Sequence, residues 1–170
     1  MIVNRYRYIE QLSRSKNNGL IKIITGLRRS GKSFLLKKLF RQHLLDEGVR
    51  EDHILVIDME SRKNKEFKNP DYLLDWVEKM MIDYETYYII IDEVQEVEDF
   101  VEVLSSLSVT EGADVYVTGS NSRFLSSDVV TEFRGRGDEI HVWPLSFKEY
   151  MTVYDGSKED GWAEYRLYGG

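Results

Sequence analysis

Cysteine is absent from the 170-residue chain, so a disulfide, a thiolate zinc site and a cysteine nucleophile are excluded. Long apolar runs are also absent, since none approaches the roughly 20 residues of a membrane span, and the N-terminus is too polar for a secretory signal. His43, His53 and His141 share no metal-ligand spacing, and we expect them to be exposed or structural. These absences predict a cytoplasmic globular protein with no membrane partner.

The chain also lacks an excess of positive charge, because 23 lysines and arginines face 30 acidic residues for a formal net charge of −7. This balance argues against general attraction to a nucleic-acid backbone, so we do not expect nucleic acid as a partner. Basic residues nevertheless crowd residues 22–41. We expect Lys37, Lys38 and Arg41 there to lie on a solvated helix face.

Apolar runs alternate with segments of helical periodicity along the whole chain. The runs cover residues 20–25, 53–59, 87–93, 113–120 and 138–146, and the helical patterns cover 33–48, 71–84, 97–109, 122–135 and 146–154, with Asp71 and Ser146 as caps. This order predicts one α/β domain over 1–170, a three-layer sandwich in which helices flank a mainly parallel five-stranded sheet. Residues 155–170 contain no convincing closing element, so we expect the chain to be cut before a further C-terminal domain.

A glycine-rich loop, "GLRRSGKS" at residues 26–33, stands between the first strand and the first helical pattern. It satisfies the phosphate-loop pattern G-x-x-x-x-G-K-[ST] in the context that the pattern demands. Its backbone amides and the positive end of the helix suit phosphate oxygens, while Lys32 would contact the β and γ phosphates and Ser33 would bind Mg²⁺. The predicted ATP-binding residues are Gly26, Leu27, Arg28, Arg29, Ser30, Gly31, Lys32, Ser33 and Phe34.

A second motif, "YYIIIDE" at residues 87–93, is an apolar strand that ends in two acids. Such a strand, about 60 residues after a phosphate loop, is typical of a Walker B element. Asp92 would bind Mg²⁺ through water, and Glu93 would orient the attacking water or accept its proton. The pair predicts a site for hydrolysis as well as binding.

Together, "IITGLRRSGKS", "IIIDEVQ", "VTGSNS", "FRGRG" and "HVWPLSFKEY" resemble one prokaryotic AAA-type family of the AAA+ ATPases, over residues 3–170. In that family an N-terminal ATPase domain precedes a C-terminal domain of unknown function. The resemblance implies that Asn121 is a sensor of the γ-phosphate and that Arg134 or Arg136 is an arginine finger in a homo-oligomer. The alternatives are a simple turn at the strand end and arginines paired with local acids. By the same resemblance, we expect the helical lid of a full AAA+ module to lie beyond residue 170.

We therefore expect an Mg²⁺-dependent ATPase core whose hydrolysis drives a conformational change in a missing domain or an unknown protein partner. Two other hypotheses stay open: a helicase-like motor, suggested by "DEVQ", and an ATP-binding switch without catalysis. A GTPase is not expected, because no guanine-reading N-K-x-D follows the Walker B strand. Tyr6 and Tyr8 are candidates for lying near the adenine, with ordinary packing as the alternative.

Overall fold

The computed structural model describes residues 2–119, 133 and 135–168. Its elements in chain order are α1 (Tyr6–Arg14), β1 (Ile21–Thr25), α2 (Lys32–Phe34), a π-helical segment (Leu35–Phe40), α3 (Arg41–Asp46), β2 (Ile54–Asp58), α4 (Pro70–Met80), β3 (Tyr87–Asp92), α5 (Phe100–Ser108), β4 (Ala113–Thr118), β5 (Gly137–His141), α6 (Phe147–Met151) and α7 (Lys158–Tyr168). Short 3₁₀ turns cover Glu51–His53, Arg62–Lys68 and Val94–Glu96.

The five strands form one sheet in the order β2-β3-β4-β1-β5, and every neighbouring pair is parallel. Parallel neighbours require crossover connections, and in the described residues helices supply those between β1 and β2, β2 and β3, and β3 and β4. The predicted α/β fold with a parallel five-stranded sheet is confirmed. β3 lies inside the sheet and all six of its residues are buried, as its β-branched and aromatic sequence predicts.

Two apolar layers cover the two faces of this sheet. One layer joins alternate strand residues such as Ile89 and Ile91 to α4 and α5. The other joins the intervening residues, such as Ile90, to α1, the π-helical segment and α3. In the predicted helix at 33–48, Leu35, Leu36, Phe40 and Leu44 are fully buried, while Leu39 and Leu45 pack at the margin of the second layer. The three-layer sandwich therefore follows from the period-two pattern of the strands and the stripe along the helix.

A polar row lies at the carboxyl ends of three neighbouring strands. Asp58 and Asp92 are paired across β2 and β3, and Thr118 follows Val117, which is paired with Ile91. Side chains alternate between the faces of a strand, so the three polar residues point to the second apolar layer, where the helix after the glycine loop packs. The register thus places polar groups beneath the start of that helix.

Two boundary predictions need correction, and two helices were not predicted. Asn69, not Asp71, caps α4: its side chain accepts a hydrogen bond from the Tyr72 amide, because Pro70 takes the first helical position. β5 ends at His141 and does not reach residue 146. Helices α1 and α7 were not predicted, whereas the Ser146 cap of α6 is confirmed by a capping box with Glu149.

The predicted helix at 122–135 lies almost wholly outside the described residues. Within the part of the chain that the structure describes, no helix combines the length and the apolar character needed to span a membrane.

Candidate functional site

The glycine loop between β1 and α2 has a conformation that requires both of its glycines. Gly26 has φ 140° and Gly31 has φ 92°, in a region where a side chain is strained. A Cβ on Gly26 would also lie 2.2 Å from the carbonyl oxygen of Val142, the residue after β5. Arg29 adopts φ 65° as well. The loop is therefore a tight turn held close to the sheet, the arrangement expected of a phosphate-binding loop.

Lys32 folds back onto this loop. Its Nζ donates hydrogen bonds to the carbonyl oxygens of Gly26, at 3.0 Å, and Leu27, at 2.9 Å, and the residue is 4% exposed. Burial lowers the pKa of the Lys32 ammonium, while the negative charges of Glu93 and Asp92 oppose that change. The charges of Asp92, at the end of β3, and of Glu93, the residue after it, therefore act on the loop lysine.

The remaining loop side chains differ in exposure. Leu27, Arg28, Arg29 and Phe34 are exposed, whereas Ser33 is half-buried. Ser30 is 4% exposed, and its Oγ has no hydrogen-bond partner among the described residues. An unpaired buried hydroxyl is costly, so Ser30 offers the loop a further donor for a ligand.

Asp92 is completely buried, and its two oxygens have different environments. Oδ1 accepts a hydrogen bond from the Thr118 hydroxyl at 2.6 Å, and that hydroxyl also accepts one from the Glu93 amide at 2.8 Å. Oδ2 lies 2.7 Å from Lys37 Nζ but receives no aligned hydrogen bond in the described part of the chain. It therefore keeps acceptor capacity, which fits the predicted role of Asp92 toward hydrated Mg²⁺.

Glu93 occupies a strained turn directly after β3, with φ 57° and ψ 53°. Gln95, the last residue of "DEVQ", is 6% exposed and donates from Nε2 to Glu93 Oε2 at 2.5 Å. The other amide atom, Gln95 Oε1, is buried and has no hydrogen-bond partner among the residues described. The amide of Gln95 thus orients the carboxylate that the sequence assigns to water activation.

Lys37 corrects the prediction of a solvated helix face. Its Nζ lies 2.8 Å from Asp58 Oδ2 in addition to the contact with Asp92. Burial lowers the pKa of Lys37, but the two acids outweigh it and raise that pKa. Lys38 is exposed, as predicted, and Arg41 is half-buried and pairs with Glu51. Sequence spacing could not reveal the Lys37 contacts, because they depend on the pairing of β2 with β3.

Two of the predicted catalytic residues, Asn121 and Arg134, lie outside the described residues. Arg136 is exposed and immediately precedes β5, whereas the glycine loop follows the far end of β1. Five residues of strand span about 16 Å. Arg136 is therefore remote from the glycine loop of its own chain.

Of the two tyrosines near the N-terminus, the structure favours packing over adenine contact for Tyr8. Tyr8 is buried, and its hydroxyl accepts a hydrogen bond from the Trp143 amide, while Tyr6 is 73% exposed. A cavity of about 230 Å³ adjoins the glycine loop instead. Its lining includes Ile2, Val3, Ser30, Gly31, Phe34 and Leu145.

His53 lies in a polar cluster that its sequence spacing did not predict. Ligand atoms of His53, Asp83 and Glu85 lie within 4.8 Å of one another, but Arg50 Nη2 is 2.6 Å from Asp83 and 2.7 Å from His53 Nε2. The guanidinium already pairs with Asp83, and Asp52 contacts Nδ1 at 2.8 Å. The structural role expected for this histidine agrees with these contacts.

Comparison with known proteins identifies the fold and the family. The sequence matches a family model described as an AAA domain over residues 18–151. The chain belongs to the AAA domain family. This result confirms the resemblance to AAA-type phosphate-loop ATPases.

Two curated relatives of this AAA domain are longer than the chain. An uncharacterised protein from Haemophilus influenzae is 35% identical over 175 residues, which cover 99% of this chain and 44% of the relative. An uncharacterised protein from Methanocaldococcus jannaschii is 28% identical over 135 residues, covering 77% of this chain and 28% of the relative. The chain thus spans less than half the length of these relatives.

Solved structures share the fold at low sequence identity. A DNA polymerase III γ subunit-related protein from Thermotoga maritima has a TM-score of 0.58 and 19% identity, with 94% of this chain and 53% of that chain covered. The Aeropyrum pernix ORC1 protein in complex with DNA has a TM-score of 0.63 and 12% identity, with coverage of 96% and 50%. These likenesses show the fold alone. They lend no support to the expectation that nucleic acid is not a partner.

Proposed function

We propose that this AAA domain binds ATP together with Mg²⁺ and hydrolyses it to ADP and phosphate. The observation that carries the proposal is the tight glycine loop that holds buried Lys32, together with the buried Asp92 and the adjacent Glu93 at the carboxyl end of β3, whose charges act on that lysine. A loop that only turned the chain would need neither a buried lysine nor two acids whose charges act on it. The family supports nucleotide binding by the same loop.

The loop supplies the phosphate contacts. Lys32 would exchange the carbonyl oxygens of Gly26 and Leu27 for the β and γ phosphates, which are stronger acceptors because they are charged. Ser30 Oγ is available as a further donor. The apolar side of the neighbouring cavity, formed by Ile2 and Phe34 among others, suits the flat face of an adenine ring.

Ser33 and Asp92 would hold the metal ion, since a hydroxyl and a carboxylate are oxygen ligands of the kind that Mg²⁺ prefers. The acceptor capacity that Asp92 Oδ2 keeps beyond its ion pair with Lys37 supports this assignment. When bound, Mg²⁺ would neutralise charge on the β and γ phosphates.

Glu93 would act on the attacking water. Its carboxylate accepts a proton while the water oxygen forms a bond to the γ-phosphorus and the bond from that phosphorus to the departing ADP oxygen breaks. The hydrogen bond from Gln95 restrains the carboxylate during this step. Asn121 beside the γ-phosphate, and Arg134 or Arg136 acting on the nucleotide of a neighbouring subunit, remain predictions from the family resemblance.

For the whole protein we propose a cytoplasmic homo-oligomer in which hydrolysis drives a conformational change in a further domain or a protein partner. The greater length of the relatives supports this view. A nucleic-acid motor is the second candidate, favoured by the structural neighbour solved with DNA and opposed by the net charge of −7. Stimulation of phosphate release by added DNA would support the second candidate.

Calorimetric titration with ATP and Mg²⁺ tests the proposal, followed by measurement of phosphate release. Lys32→Ala should weaken ATP binding about ten- to a hundredfold, because charge-assisted contacts contribute about 1.5–3 kcal/mol each. Lys38→Ala removes an exposed lysine from the same helix and should bind like the parent. Equal affinity in the parent and folded Lys32→Ala would refute the phosphate-loop assignment. Binding without phosphate release would favour the non-catalytic switch.

A further inference from the structure

Lys37 places a positive charge between two acids at the edge where the metal is expected. It lies in the π-helical segment, one turn after Ser33, and its Nζ is 2.8 Å from Asp58 Oδ2 and 2.7 Å from Asp92 Oδ2. The side chain of Lys37 is 23% exposed, that of Asp58 is 34% exposed and that of Asp92 is 0% exposed. The ammonium therefore bridges a partly solvated acid and a buried one.

The buried acid depends on this ammonium. Among the described groups, Asp92 also receives a hydrogen bond from the Thr118 hydroxyl and interacts with the charge of Lys32, but Lys37 provides the positive charge in direct contact. Removing the partner of a buried charge is strongly destabilising, whereas an exposed ion pair contributes little. The contact with Asp92 should accordingly matter more to stability than the contact with Asp58.

The charge balance leaves room for another cation. Three carboxylates (Asp58, Asp92 and Glu93) and two ammonium groups (Lys32 and Lys37) carry a net charge of −1, so a divalent cation is attracted to the cluster even while Lys37 is present. Because the ammonium and the metal would both interact with Asp92 Oδ2, each weakens the binding of the other. Asp58 would remain a partner for Lys37 after Asp92 binds the metal. Because the side chain of Asp58 is 34% exposed, its charge stays partly solvated.

We propose that Lys37 is the resident counter-ion of Asp92 in the metal-free protein, that it competes with Mg²⁺ for this carboxylate, and that Asp58 holds it when the metal is bound. The competition rests on the proposed function, whereas the counter-ion role does not. Lys37 is thus a positioning residue that acts through Asp92.

The counter-ion role is tested without metal or nucleotide. The free energy of unfolding is measured in EDTA for the parent, Lys37→Met, Asp92→Asn and the double variant, with Lys38→Met as the control. Methionine keeps the aliphatic stem and removes the charge. We expect Lys37→Met to lower stability in the parent but much less in the Asp92→Asn background. Equal losses in both backgrounds would overturn the counter-ion role. If Lys37→Met does not fold, Lys37→Gln takes its place.

The competition is tested by the Mg²⁺ concentration that gives half-maximal binding of a fluorescent ATP analogue. Lys37→Met should lower this concentration by roughly tenfold, equivalent to about 1.4 kcal/mol. Asp58→Asn should raise it, because Lys37 then has only Asp92 as its acid. A purely structural role would not move the two variants in opposite directions.

The outcomes separate this inference from the function on which it rests. Shifts of the same sign in Lys37→Met and Asp58→Asn, or values equal to that of Lys38→Met, would overturn the competition. If the parent protein binds no nucleotide analogue at any Mg²⁺ concentration, the proposed function fails and the competition fails with it. The stability measurements in EDTA decide the counter-ion role in either case.

Discussion

Replacing Thr118 by valine should remove the hydroxyl that links the Asp92 carboxylate to the Glu93 amide. Thr118 is fully buried at the end of β4. Its single hydroxyl donates to Asp92 Oδ1 at 2.6 Å and accepts from the Glu93 amide at 2.8 Å. Valine has nearly the same shape but can neither donate nor accept, so both contacts are lost while the packing is kept.

The expected loss of stability follows from these two contacts. A hydrogen bond to a charged group contributes about 1.5–3 kcal/mol, and a buried donor left without a partner costs about 1–3 kcal/mol. Glu93 is half-buried, so we take the lower end for its amide. The free energy of unfolding should fall by about 2.5–4 kcal/mol. Thr118→Ser keeps the hydroxyl and loses one methyl group, which should cost only about 1 kcal/mol.

Urea unfolding followed by tryptophan fluorescence measures this difference, because the chain contains three tryptophans. The slope of free energy against urea should be the same in the parent and both variants, which shows that the same surface is exposed on unfolding. Equal losses of stability in Thr118→Val and Thr118→Ser would refute the reasoning. The methyl group, and not the hydroxyl, would then be the important part of the side chain.

Three further predictions concern the site and its surroundings. Glu93→Gln should retain ATP affinity by calorimetry and lose phosphate release, since it removes the proton acceptor but keeps the size. Arg136→Ala in the complete protein should abolish any rise of specific activity with protein concentration, if the arginine acts on a neighbouring subunit. Asp52 and Asp83 outweigh burial and raise the pKa of His53 above 6.5. His53→Gln should therefore lower the melting temperature most below pH 6.5, with the gap narrowing as pH rises through the folded pKa.

The strands were predictable because their signals are local. Each observed strand lies within a predicted apolar run, apart from Gly137 at the start of β5. The agreement is best for β3. Its aromatic and β-branched sequence predicts a strand covered on both faces, and all six of its residues are buried. β5 was predicted five residues too long because the apolar character continues past His141. Pro144 indicates that the strand ends earlier, because proline cannot donate a hydrogen bond to a neighbouring strand.

The two terminal helices had weaker signals. In α1, Tyr8 and Leu12 are the buried residues, and their spacing of four is helical but covers only one turn. In α7, Gly161 lowers the helix propensity, and Trp162 and Tyr165 pack onto Phe147 of α6. These aromatic contacts with another helix stabilise α7, and the sequence of α7 alone does not reveal them. The error at the start of α4 concerned only the capping residue. Asn69 directly before Pro70 is a sequence pattern typical of a helix N-terminus, so this cap could have been predicted.

In the site, too, features set by neighbouring residues were predictable from the sequence, whereas contacts between distant segments were not. The phosphate-loop pattern specified the glycines and Lys32 because their roles are set within eight consecutive residues. The contact of Lys37 with Asp58 and Asp92 needs two facts that the sequence does not state: that β2 lies beside β3, and that both carboxylates face the helix after the loop.

Once the strand order is known, the row of Asp58, Asp92 and Thr118 follows from parallel register and period-two alternation. A lysine above such a row cannot stay a solvated side chain, because burying Asp92 without a cation would cost several kcal/mol. The same argument makes the role of Lys37 conditional. A metal ion at Asp92 would neutralise the carboxylate in place of Lys37. The contact between Lys37 and Asp92, which stabilises the metal-free protein, is therefore the one that metal binding should weaken.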